Sequence, residues 1–146
     1  MKTNAYPLAR SLHRLDMNIG RRLYQELQKT PGTEEVTGTN GRIIRYLAEH
    51  EDAPIYQRDL EREFGFTRST ASRVLQLMEQ KNLIARNGVA HDARLKRVTL
   101  TDYSRCFSDQ MRENARILEE RLLTGFSDEE IELLSSFISR MQENIG

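Results

Sequence analysis

The chain has 146 residues, which fits one domain, and its 22 basic and 22 acidic residues leave no net charge. Its three histidines lie far apart in sequence and it has one cysteine, which excludes an intramolecular disulfide and gives no spacing typical of a metal site. The sequence contains no apolar run near the roughly 18 residues of a membrane-spanning helix, and no Gly-rich phosphate loop. We therefore expect a cytoplasmic protein with no membrane partner, no cofactor and no enzymatic activity.

An amphipathic helix is predicted near the start of the chain, from about Pro7 to Lys29. Its apolar residues recur at steps of three and four and form a stripe along one side: Leu8, Leu12, Leu15, Ile19 and Leu23. An apolar stripe of this length has to be buried against other helices, either of this chain or of a second copy.

A second helix is predicted from about residue 38 or 39 to residue 50, after a polar connection. Its apolar face holds Ile43, Ile44 and Leu47. Pro54 prevents the helix from continuing. Ile55 is then expected to form a very short strand that pairs with a later hairpin.

The next segment predicts a helix-turn-helix pair. The first helix runs from about Tyr56 to Phe64, with Leu60 and Phe64 one turn apart on the same face. Gly65 supplies the turn, and the hydroxyl of Thr67 is suited to cap a helix that starts at residue 68.

The helix from residue 68 has an apolar face and a polar face. The apolar residues are Ala71, Val74, Leu75 and Met78, and the polar ones are Arg68, Ser69, Thr70, Ser72, Arg73 and Gln76. Arginine can donate to both acceptors of guanine, and small hydroxyl side chains can approach phosphate or base edges. The polar face therefore suits a DNA major groove, although an isolated polar helix can equally be a solvated surface.

A basic hairpin follows and favours the DNA interpretation. Its outgoing strand carries Arg86, and its returning strand carries Arg94, Lys96 and Arg97. Residues 62–97 hold eight basic and three acidic side chains, a net charge of +5, whereas residues 98–146 hold five and ten, a net charge of −5. The cations thus concentrate at one predicted docking surface.

Two helices are predicted at the carboxyl end. One runs from Thr101 to about Leu123, and the last is opened by a capping box of Ser127 and Glu130. The last helix carries a heptad-like seam of Ile131, Leu134, Ile138, Met141 and Ile145. We expect a second copy of the chain to cover the helices at both ends, which would give a homodimer and a pseudo-palindromic DNA site. A monomer wrapped by its own end helices is the alternative.

The order of these elements resembles the MarR family of bacterial and archaeal transcription regulators, over nearly the whole chain. The matching segments are the recognition helix at residues 67–73, the strand residues Leu83-Ile84, the wing residues Asp92-Ala93-Arg94 and the end of the wing at residues 99–101. The resemblance implies that Arg94 enters a minor groove and that Asp92 holds it through an ion pair and loop hydrogen bonds. The chain departs from the family pattern at Ala93, often a second Arg, and at Tyr103-Ser104, where a Gly often stands.

The resemblance implies a mainly α fold, with a winged helix-turn-helix core at about 38–100, a small β-hairpin wing, and dimerisation helices at about 5–30 and 101–146, all in a single domain spanning 1–146. It also implies release from the operator by a small anionic aromatic effector. Candidate effector-binding residues, which an exposed polar face explains equally well, are Arg10, His13, Arg14, Arg45 and Tyr46.

We therefore expect a sequence-specific, DNA-binding transcriptional regulator, a repressor that acts as a homodimer on double-stranded DNA. The predicted DNA-binding residues are Arg68, Ser69, Thr70, Ser72, Arg73, Arg86, Asp92, Arg94 and Lys96. A winged-helix protein-interaction module and a non-specific architectural DNA binder are the alternatives. Cys106 is expected to be a small buried filler, with a redox-sensitive thiol as the alternative.

Overall fold

The computed structural model describes residues 8–146, except for the side chain of Ala93, and within that range it has six α-helices and one antiparallel hairpin. The elements are α1 (Leu8–Leu27), α2 (Gly38–Glu49), α3 (Gln57–Phe64), α4 (Arg68–Gln80), β1 (Ile84–Val89), β2 (Asp92–Leu100), α5 (Asp102–Leu122) and α6 (Asp128–Ile145). None of these helices is long and apolar enough to cross a membrane. The predicted mainly α, winged helix-turn-helix fold is confirmed, while the predicted helix start at Pro7 and the boundary near residue 5 lie outside the described residues.

Local hydrogen bonds fix the ends of the helix-turn-helix pair. At the start of α3, the carboxylate of Asp59 accepts the backbone N–H of Tyr56 at 2.8 Å. Gly65 ends α3 with a φ of +65°, a left-handed conformation that glycine adopts without steric cost. The hydroxyl of Thr67 accepts the N–H of Thr70 at 3.2 Å, which confirms the predicted cap and the start of α4 at residue 68.

A single hydrophobic core joins α2, α3, α4, the hairpin and the first half of α5. Its most deeply placed members include Ile43, Ile44, Leu60, Leu75, Met78, Leu83, Ile84, Val98, Leu100 and Phe107. Burying each large side chain contributes about 1.5–3 kcal/mol relative to leaving it exposed. The predicted apolar faces of α2, α3 and α4 are confirmed, and their burial determines which residues of α4 face outward.

The hairpin forms the wing and is tied to the rest of the core at its base. Ile84 pairs with Leu100 and Arg86 with Val98, and the register shifts between Gly88 and Val89. The N–H of Val98 donates to the carbonyl of Ile55 at 2.8 Å, which confirms the predicted pairing of that short segment with the hairpin.

The chain divides into two compact units, one ending at Asn114 and the other comprising Ala115–Gly146. In the second unit, the Ser127 hydroxyl accepts the Glu130 N–H at 3.2 Å, and the Glu130 carboxylate accepts the Ser127 N–H at 2.8 Å. This reciprocal pair confirms the predicted capping box. Every residue of α6 is described, and none of them is buried in the single chain.

The first turn of α5 contains Tyr103 and Ser104, two of the residues at which the chain departs from the family pattern. The hydroxyl of Tyr103 donates to the backbone carbonyl of Gly32, and Ser104 is fully buried against Thr101, whose N–H it accepts at 3.1 Å. Cys106 is exposed, and its thiol donates to the Asp102 carbonyl at 3.2 Å. The expectation of a buried filler was therefore wrong, because this side of α5 faces away from the core.

We predict that Gly65→Ala lowers the free energy of unfolding by about 1 kcal/mol, because an added Cβ is unfavourable at a positive φ. An added Cβ would meet no atom within 4 Å at this position, so any loss comes from the backbone alone. Gly88 is the matched control, since it has the same open surroundings without the positive φ. Denaturant unfolding of Gly65→Ala and Gly88→Ala measures the two free energies of unfolding. Equal losses of stability in both variants would refute the explanation.

Candidate nucleic-acid interface

An open depression of about 470 Å³ lies between α3, the start of α4 and the wing. Its lining residues are Tyr56, Gln57, Arg58, Glu61, Arg68, Arg86, Arg94, Leu95 and Lys96. Five of these nine side chains are basic and one is acidic. Four of the predicted DNA-binding residues, far apart in sequence, therefore share one concave surface.

The packing of α4 decides which of its predicted residues are available. Ala71, Leu75 and Met78 are buried, which turns the opposite face of the helix toward solvent. The exposed predicted residues on α4 are Arg68, Ser69, Ser72 and Arg73. Thr70 differs from these, because it is half-buried and its hydroxyl accepts from the capping hydroxyl of Thr67 at 2.9 Å.

The starts of α3 and α4 are joined across the depression. The side-chain amide of Gln57 donates to the carbonyl of Arg68 at 3.4 Å. Arg58 also lines the depression, with its guanidinium 5.5 Å from the centre of the Tyr56 ring. Arg58 is not among the DNA-binding residues predicted from the sequence, because the apolar spacing of α3 indicated only a packing helix. The available signal was a basic residue in the first turn of the first helix of the pair.

Arg86 is held by a carboxylate of α4. Its Nε and Nη2 atoms donate to the two carboxylate oxygens of Glu79 at 3.4 and 3.2 Å. The hydrogen bond from Arg86 is the largest of the causes that lower the pKa of Glu79 below its ordinary value. Arg86 thus lines the depression, but two of its guanidinium nitrogens donate to Glu79.

The wing is organised by a hydrogen bond between Asp92 and the backbone. The carboxylate of Asp92 accepts the N–H of Arg94 at 2.9 Å, as the resemblance implied for the loop. The implied ion pair between the two side chains is absent among the described residues. The reason is geometric: the carboxylate turns back onto the chain two residues on, while Arg94 extends toward the depression.

A separate cavity of about 100 Å³ is lined by residues of α1, α2 and α5. Of the five candidate effector-binding residues, only Arg45 lines it, beside Asp16, Tyr24, Arg42 and Asn114, which the sequence analysis missed. Arg10, His13 and Arg14 are exposed on α1 and are not among its lining residues.

Tyr46, the fifth candidate, packs instead against the rings of His50 at 4.2 Å and Phe64 at 5.8 Å. Burial, followed by the nearby carboxylates of Glu63 and Asp59, raises the pKa of Tyr46. Residues 8–146 contain no cluster of three or more His, Cys, Asp or Glu side chains that could hold a metal ion.

Comparison with known proteins gives consistent matches. A family model described as the MarR family matches residues 35–95. The transcription regulator MarR from Oenococcus oeni PSU-1 is 30% identical, with 94% of this chain and 99% of that chain covered and a TM-score of 0.78.

Two more distant structures share the fold and were solved with DNA. The S. aureus MepR–DNA complex is 21% identical, with 97% of this chain and 99% of that chain covered and a TM-score of 0.81. A putative MarR family regulator from Listeria monocytogenes, in complex with a 26mer DNA, is 18% identical. The match covers 96% of this chain and 89% of that chain, with a TM-score of 0.82.

We predict that Asp92→Ala speeds amide hydrogen exchange at Arg94 by about threefold to tenfold, because the N–H loses its acceptor. Asp92→Asn keeps an acceptor oxygen but removes the charge, and should exchange like the parent chain. NMR on the free protein measures both rates. If the Asn variant behaved like the Ala variant, charge rather than the loop hydrogen bond would be organising the wing.

Proposed function

The chain belongs to the MarR family of transcription regulators, and on this premise we propose that it binds double-stranded DNA as a homodimer and represses transcription from a pseudo-palindromic operator. The family consists of transcription regulators rather than enzymes, which confirms the expectation that the chain has no enzymatic activity. With chromosomal DNA as its partner, the protein would work in the cytoplasm.

The observation that carries the proposal is the basic depression that joins the start of α4 to the wing. A major groove about 12 Å wide admits an α-helix, and residues at the start of a recognition helix contact base edges. Arg68 and Arg73 stand exposed at that end of α4, beside Ser69 and Ser72. Arg94 and Lys96 on β2 line the same depression, and on this proposal they would follow the DNA backbone into the neighbouring minor groove.

Exposed apolar side chains support the proposed homodimer in each compact unit. In the first unit, α1 exposes Leu8, Leu12 and Leu15. In the second, the large apolar side chains that α6 exposes are Leu133, Leu134, Phe137, Ile138 and Ile145. Uncovered apolar surfaces of this kind mark association sites. We propose that α1, α5 and α6 provide the dimerisation surfaces and that residues 38–100 form the winged-helix core, in a single functional domain.

The small cavity beside α1 is the proposed effector site. Arg42 and Arg45 bring two positive charges and Asp16 one negative charge to a space whose size suits about one aromatic ring, so a small anionic aromatic compound would meet a net positive lining. Such a ligand would release the operator only if it bound more tightly to a dimer in which the spacing of the two recognition helices does not match the DNA.

Selection of genomic fragments by the purified protein, at about physiological salt, tests the proposed function. A pseudo-palindromic site that binds roughly a thousandfold better than unrelated DNA would support it. Unrelated DNA that competes equally well would instead indicate an architectural binder. Binding to acidic proteins, and to no DNA, would indicate a protein-interaction module.

We predict that Arg73→Ala weakens operator binding by about 1–3 kcal/mol, because a bidentate contact to guanine is lost. Its binding to unrelated DNA should change far less. Lys29→Ala, in the turn after α1, is the control for removing one exposed positive charge, and should leave both affinities unchanged. Fluorescence anisotropy measures the four constants, and an equal loss on both DNAs would show that Arg73 contacts only the phosphate backbone.

We predict that Ile138→Asp converts the dimer to a monomer of 17.0 kDa, because a carboxylate would be buried in the apolar seam. Ser136→Asp places the same charge on another side of α6 and should stay dimeric. Sedimentation equilibrium gives the masses. An unchanged mass for Ile138→Asp would remove the seam from the dimer interface.

A further inference from the structure

The ion pair between Glu79 and Arg86 joins the last turn of α4 to the first strand of the wing. Arg86 donates to both carboxylate oxygens, and its side chain is only 20% exposed, compared with 40% for Glu79. The pair therefore has a bidentate geometry and is partly shielded from solvent. Such geometry distinguishes it from the monodentate surface pairs that contribute little.

The pair lies where the wing would otherwise be free to change its angle to α4. Helix and strand are joined by a three-residue turn, in which Asn82 has a φ of +58°. Ile84 is buried at the base of β1, but every later residue of that strand is half-buried or exposed. The core thus fixes the base of the wing, and the Glu79–Arg86 pair lies further out along β1.

An acidic side chain near a DNA-binding surface is ordinarily unfavourable, because it repels phosphate. The carboxylate of Glu79 lies beside the basic wing, because it accepts two hydrogen bonds from Arg86 on β1. If Glu79 were only a surface carboxylate, its neutralisation would strengthen DNA binding. A role in holding the wing predicts the opposite sign.

We propose that Glu79 is a positioning residue: by holding Arg86 it fixes the wing relative to α4, so that the depression meets two grooves of one DNA duplex together. Arg86 then acts through this pair, and is not itself a contact to DNA. This inference rests on the proposed function, and it revises the role expected of Arg86 from the sequence.

The test begins on the free protein, without DNA. Spin labels at Gln76 on α4 and at Ala90 on the wing, in a Cys106→Ser background, report the helix-to-wing distance by pulsed electron spin resonance. The labelled chain is diluted with excess unlabelled Cys106→Ser chain, so that each dimer carries at most one labelled protomer. Glu79→Gln should broaden the distance distribution, and the charge swap Glu79→Arg with Arg86→Glu should narrow it again. An unchanged distribution in Glu79→Gln would overturn the positioning role.

DNA binding gives the second readout, on the fragment that the parent chain selects. Glu79→Gln should bind roughly threefold to fivefold more weakly, the size expected from losing one partly exposed ion pair, and the swap should recover the affinity. Glu61→Gln is the matched control: it removes another carboxylate, one that lines the depression, and should bind slightly more tightly. Arg86→Gln should match Glu79→Gln, and the double variant should add no further loss.

The outcomes separate the two proposals. Tighter binding by Glu79→Gln would overturn the inference and make Glu79 an ordinary repulsive carboxylate. A reduced salt dependence in Arg86→Gln alone would also overturn it, because that result indicates a lost phosphate contact. If the parent chain bound no DNA while Glu79→Gln still broadened the distribution of helix-to-wing distances, the proposed function would fail. The structural role of the Glu79–Arg86 pair would then stand.

Discussion

The burial of one face of α4 is the constraint on which the rest of the interface depends. Leu75 and Met78 are among the most deeply buried side chains, and they fix the rotation of the helix about its own axis. Because successive residues of a helix are about 100° apart, this rotation forces Arg68 and Arg73 outward. The cap at Thr67 sets where the helix begins. The packing of α4 against the core therefore creates the basic face.

The wing extends this face by a chain of weaker constraints that becomes sparser toward its tip. Core burial of Ile84 and Val98 and the backbone hydrogen bond from Val98 to Ile55 hold its base. Side-chain pairing between Glu79 and Arg86 holds the next part, and one loop hydrogen bond from Arg94 to Asp92 organises the turn. A wing held in this graded way is fixed at its base and less constrained toward its tip. A chain with no net charge can thus present a concentrated positive surface.

Most of what the sequence could predict was local, and the pairing of Ile55 with the hairpin is an exception. Gly65, Thr67 and the capping box at Ser127 act within a few residues, so helix starts and the core faces followed from spacing alone. Side-chain partners across turns could not be read in this way: Arg86 finds Glu79 seven positions back, and Arg58 joins the depression only because α3 and α4 meet at their starts. The exposure of Cys106 depends on how α5 packs, and the choice of Arg45 over Arg10 depends on where α1 meets α2.

Chemical footprinting on the selected DNA fragment tests the central claim most directly, namely that α4 and the wing read two kinds of groove from one surface. Dimethyl sulfate reports guanine N7 in the major groove and adenine N3 in the minor groove. We expect two clusters of protected guanine N7, at least about 10 base pairs apart, each flanked by minor-groove protection. Protection confined to one groove, or a single cluster without its symmetric partner, would contradict it.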